Sequence, residues 1–229
     1  MNKKLITVIA IMATVVTLAN GCGAGSGTGR YSVPSDIITP GGGSSDDGGG
    51  GVVETDVDTL ISSGWEDFKY GAYSSATNKF NEALLNSKIN DTQKASAYNG
   101  LGWALLKSSG AESAYSAFSQ AANLNNEAKI GLVSAMMMRS SDPSGYRQAV
   151  NMLESLGLKE TSTVFTPIHA IGVTNAGAHA MLAWCYYMIG DEDNARTQII
   201  FARAADATAD SAVNQIYNSL VAMGLTFTS

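Results

Sequence analysis

Residues 98–126 read YNGLGWALLKSSGAESAYSAFSQAANLNN. The stretch predicts two short amphipathic helices folded back on each other. Tyr98, Leu101 and Leu105 are bulky and fall at i, i+3 and i+7 spacing, and with Phe118 they fill the space between helices. Gly102 and Ala114 are small, as positions where two paired helices press close must be. One such hairpin cannot bury its apolar face alone, so it needs neighbours on both sides.

The order Tyr98, Leu101, Gly102, Leu105, then Ala114, Phe118, Ala121 resembles the tetratricopeptide repeat (TPR), a helix–turn–helix unit. The resemblance extends in both directions. A first unit over about 54–88 carries Leu60, Gly64 and Phe68, a turn at Gly71-Ala72-Tyr73, and Ala76, Phe80 and Ala83. Asn90-Asp91-Thr92 supplies an N-cap for the second unit. A third unit, about 127–157, has its second helix starting at Asp142-Pro143 and uses Ala149, Leu153 and Leu156. A fourth, about 177–207, carries Leu182, Ala183 and Tyr186, with Asp191 capping a second helix marked by Ala195, Ile199 and Ala202. The marker alanines at 76, 114, 149 and 195 are spaced 38, 35 and 46 apart, against a usual period of about 34. The excess in the last interval falls in GLKETSTVFTPIHAIGVTNA, residues 157–176. Thr163-Val164-Phe165-Thr166 favours strand or extended backbone there, Pro167 blocks a helix and Gly172 allows a bend. A final helix, about Asp210–Met223, has an apolar face of Val213, Ile216, Tyr217 and Leu220, and its Asn214, Gln215 and Asn218 suit water, as a terminal cap requires. The proline that commonly closes each repeat is missing. The expected fold is all-α: a TPR-like solenoid of about four hairpins with a C-terminal capping helix.

The N-terminus has a different character. Lys3 and Lys4, the apolar run LITVIAIMATVVTLA and small residues before Cys22 predict a secretory signal over 1–21. Leu18-Ala19-Asn20-Gly21-Cys22 resembles the lipobox of bacterial lipoproteins, although Leu18 stands four before the cysteine and Ala19 takes the usual leucine place. The resemblance implies cleavage before Cys22, lipidation of its thiol and export to a membrane. Gly23, where an aspartate would signal inner-membrane retention, implies the outer membrane. Residues 22–52 read as the lipidated cysteine and a Gly/Ser-rich tether, too poor in apolar side chains to fold. About 30 residues of such coil average roughly 30 Å end to end. The glycines of GCGAGSGTG do not make a phosphate loop, because no strand precedes them and no Gly-Lys-Ser/Thr follows. Residues 53–229 form the repeat domain.

Net charge is −6 and two units more negative once Lys3 and Lys4 are removed, which argues against nucleic acid as partner. Cys22 and Cys185 make no disulfide framework. His169 and His179, ten apart, fit no standard zinc spacing, and no serine elbow or nucleotide loop occurs. Cys185 lies inside MLAWCYYMI and reads as a buried thiol. No enzyme, cofactor or metal is therefore expected. The TPR resemblance implies a concave groove lined by first helices and a partner protein or peptide. Large or polar side chains on those helices are the candidate contacts: Trp65, Lys69, Asn99, Trp103, Lys107, Met137 and Tyr187. The run Met136-Met137-Met138 allows either core packing or an adaptable contact surface. The alternatives are a surface binder of carbohydrate or another small ligand, using tryptophans and the insertion, or a structural lipoprotein of envelope assembly.

Overall fold

A computed structural model describes residues 55–139 and 142–227. The signal segment, Cys22 and the 22–52 tether lie outside the described residues. Nine helices and no strands occur among the described residues: α1 Val57–Lys69, α2 Tyr73–Leu85, α3 Asp91–Ser108, α4 Ala111–Ala121, α5 Asn126–Arg139, α6 Pro143–Glu154, α7 Asn175–Met188, α8 Glu192–Ala205 and α9 Ala212–Met223. They make four antiparallel hairpins, α1/α2, α3/α4, α5/α6 and α7/α8, closed by α9.

Local chemistry sets the boundaries. Asn90 and Gln93 form a reciprocal capping box at α3, Asp142 caps α6 with Pro143 in its first turn, and Asp191 caps α8 through the Asn194 N–H. Helix α2 has no side-chain cap and is launched instead from a tight turn at Gly71, whose φ of +77° no β-carbon favours. One boundary shifts from the sequence reading. Helix α9 starts at Ala212 because the Ser211 hydroxyl, not Asp210, accepts the Asn214 N–H. Asn214 and Gln215 also turn back to the carbonyls of Ala209 and Asp210, so of the three amides Asn218 is the exposed one.

The hairpins nest around two phenylalanines. A β-carbon on Gly64 would stand 2.7 Å from the Phe80 ring, and one on Gly100, in the next hairpin, 2.2 Å from it. Phe118 repeats the arrangement between Gly102 and Gly131, at 2.5 and 2.3 Å. Each ring thus occupies the space that two missing side chains leave on successive first helices, and no smaller gap would admit it. Leu153 and Ile199 take the same place in the third and fourth hairpins, fully buried, beside buried Ala149 and Ala195. Met136 and Met137 belong to this core, while Met138 is half-buried at its edge.

First helices pack against one another in succession, α1 on α3, α3 on α5 and α5 on α7, and each second helix packs on its own first helix. Helix α9 covers the end of the stack against α7 and α8. The α6–α7 connection, 155–174, has no ladder and no helix. Side chains satisfy its backbone instead: Asn175 accepts the Phe165 N–H, His179 Nε2 lies 3.1 Å from the Thr163 carbonyl, and Gln198 donates to the Lys159 carbonyl. Leu158, Phe165 and Ile171 of this connection are buried.

Candidate functional site: the covered concave wall

The connection does not stay at the edge of the stack; it crosses the wall formed by the first helices. His169 lies flat on Trp65 of α1, ring centroids 3.6 Å apart and planes 7° apart. Its backbone N–H donates to Glu127 Oε1 of α5 at 2.7 Å, and its Nδ1 meets Glu127 Oε2 at 2.6 Å. Asn99 of α3 donates to the same Oε2 at 2.9 Å. Two first helices, α1 and α5, thus hold one residue of the chain itself, and Asn99 of α3 steadies the carboxylate that binds it. Glu127 is only 3 % exposed. Burial alone would raise its pKa, but the ring and backbone hydrogen bonds of His169, its charge and the Asn99 amide outweigh that and hold the carboxyl below its ordinary range.

Towards α9 the wall borders a half-open cavity of about 300 Å³. Trp103 and Lys107 of α3 line it with Met138, Ile171 and Met181. Burial pushes the Lys107 ammonium down to about 8. On the far side of the connection, Val164 and Ile168 stand 69 % and 85 % exposed beside Leu124, 70 % exposed, along a shallow surface groove.

The seven side chains singled out from the sequence therefore part company. Trp65 and Asn99 are buried under the connection, and Trp103 and Lys107 face the cavity. Met137 is core, and of the 136–138 run it is Met138 that reaches the cavity. Lys69 is exposed at the end of α1, its ammonium 5.9 Å from the Tyr70 ring centre. Tyr187 donates to the Met223 carbonyl at 2.7 Å and ties α7 to the end of α9. Of the wall's polar centre, sequence reasoning missed Glu127, which reads as an ordinary first-turn acid, and gave His169 no such role. The pairing across 42 residues leaves no local trace. His179 is fully buried, bonded to Gln198 and Thr163. Burial raises the Cys185 thiol far above its ordinary value. Among the described residues no group of three or more His, Cys, Asp or Glu is placed to hold a metal ion.

Stacked hairpins with small-for-large nesting and a first-helix wall define a TPR-like α-solenoid. The architecture is similar to the crystal structure of a thermophilic TPR protein of Thermus thermophilus, with a TM-score of 0.51 over 74% of this chain and 84% of that one. Identity is 17%, so the likeness concerns the fold alone. No protein-family model matches the chain, and no curated protein matches it.

Proposed function

We propose that this chain is an exported, lipid-anchored, non-catalytic scaffold that binds a partner protein or peptide at the bacterial cell envelope, most simply at the outer membrane. The observation that carries the reading is the wall itself. Trp65 of α1 and Glu127 of α5 hold His169 of the chain's own non-helical 165–171 stretch by ring, side chain and main-chain N–H, so this surface suits recognition of an extended chain. The segment that fills the groove also carries its outward edge. Val164, Ile168 and Leu124 form an exposed apolar strip of the kind that marks interaction surfaces. The partner docks there, on top of the covered groove. The lipid on Cys22 and the tether come from the sequence reading and place that strip tens of ångströms from a bilayer.

A sugar-platform role has less support, because Trp65, Trp103 and Trp184 are all buried. The deciding experiment is in-cell photo-crosslinking from position 168, compared with position 119 on α4. A protein crosslinked at 168 alone, and lost on Val164→Asp, supports the reading. No product at 168, or the same products at both positions, removes it. Incorporation of labelled fatty acid that disappears in Cys22→Ser tests the anchor, and fractionation of the labelled chain tests the membrane.

A further inference from the structure

The connection that fills the groove also roofs the 300 Å³ cavity between α3, α5, α7 and the first turn of α9. We propose that this cavity is a binding site for a small monocarboxylate with an apolar body, of medium-chain fatty-acid size. This goes beyond partner docking, which uses the other side of the same segment.

Size comes first. At a share of roughly 30 Å³ per water-sized group, the space holds on the order of ten non-hydrogen atoms. Shape and surface come next. Ile171 and Ile216 give rigid apolar walls, and Met138 and Met181 give deformable ones that adapt to an alkyl or aryl body. The polar features are few and convergent. Lys107 places its ammonium at the Gly172 bend, where a β-carbon would stand 3.7 Å from Nζ. An ammonium has three donors, so it can take a ligand oxygen alongside another partner. Trp103 is 2 % exposed and gives the cavity a flat indole wall. The first turn of α9 adds partial positive charge at the same wall.

One group works against charge. Asp206 also lines the cavity, its carboxylate accepting the Thr208 N–H at 3.1 Å. A single negative charge beside Lys107 is tolerated there, whereas a phosphate dianion meets Asp206 as well. The head group therefore carries a single negative charge, as a carboxylate does.

The test uses the full-length exported chain carrying Cys22→Ser, titrated with decanoate, decanol and decyl phosphate by calorimetry and tryptophan fluorescence. The expected result is one decanoate per chain with a dissociation constant on the order of 1 mM or tighter, and weaker binding of the other two. Lys107→Gln weakens decanoate by roughly tenfold and leaves decanol unchanged, as loss of one charge-assisted hydrogen bond requires. Met138→Trp, which fills the space, abolishes binding while circular dichroism stays that of the folded chain. If Met138→Trp unfolds the chain, Met181→Phe replaces it as the filling variant, with the same expectation. Saturable binding that survives filling overturns the site. Equal binding of decanol and decanoate, or no effect of Lys107→Gln, overturns the carboxylate. No saturable binding of any of the three overturns the proposal.

Discussion

A glycine in a helix interior usually costs about 1 kcal/mol relative to alanine, so Gly100 would ordinarily be a site for cheap stabilisation. Here the balance reverses. A β-carbon at 100 would stand 2.2 Å from Phe80, and overpacking of that kind costs about 1–3 kcal/mol. Gly100→Ala is expected to lower the urea midpoint, and most of the loss should vanish in a Phe80→Leu background. Gly177, where the nearest atom would be 3.4 Å away, is the control at which alanine is tolerated. A second residue-scale consequence concerns Glu127. Its folded pKa lies below the ordinary value of 4.5, so its stabilisation is complete above about that pH and is lost as pH falls through the lower folded value. Glu127→Gln should cost about 1–3 kcal/mol at neutral pH by stripping the charge-assisted bonds to His169. Between pH 7 and 3 the wild-type midpoint should fall more steeply than the variant's. Parallel curves would remove the carboxylate from the account.

At the scale of elements, the 155–174 connection looks like a loop and is held like a core. The β-branched run at 163–166 predicts strand or extended backbone, and the described chain there pairs with no strand, because side chains take its hydrogen bonds. Irregular segments usually exchange their amides quickly. Here the His169 amide donates to buried Glu127 and the Phe165 amide to Asn175. Hydrogen exchange should therefore show both amides protected, with Glu127→Gln accelerating His169 by at least about tenfold and leaving Phe165 little changed. Fast exchange at both amides in the wild type would mean that the connection lifts off the wall.

At the scale of the molecule, a repeat array is close to one-dimensional, and its ends can unfold apart from its middle. This chain breaks that rule. The Trp65–His169 stack joins the first hairpin to the connection after the third, a contact that skips the nearest neighbour. Urea unfolding should therefore be a single transition whether followed by circular dichroism or by tryptophan fluorescence. Trp65→Ala removes the staple, and the two probes should separate as α1 and α2 melt early. A wild type that already unfolds in two stages would show that the staple carries little energy.

The hairpins were legible in the chain because nesting is local: alanine, glycine and phenylalanine at fixed offsets must meet whatever lies elsewhere. The caps at Asn90, Asp142 and Asp191 were legible for the same reason, since a side-chain oxygen and an amide two or three residues on need no third party. The groove was not. Trp65, Asn99 and Trp103 have the residue types and positions of an open binding wall, yet they are interior: Trp65 and Trp103 pack on the hairpin phenylalanines, Asn99 on Glu127, and the path of 155–174 crosses them. That path depends on Glu127 meeting His169 and on Ile171 finding a buried place, pairings between distant parts of the chain. Periodicity determined which helices stack; where the one aperiodic segment lies was decided by burial and by the need of each backbone amide for an acceptor.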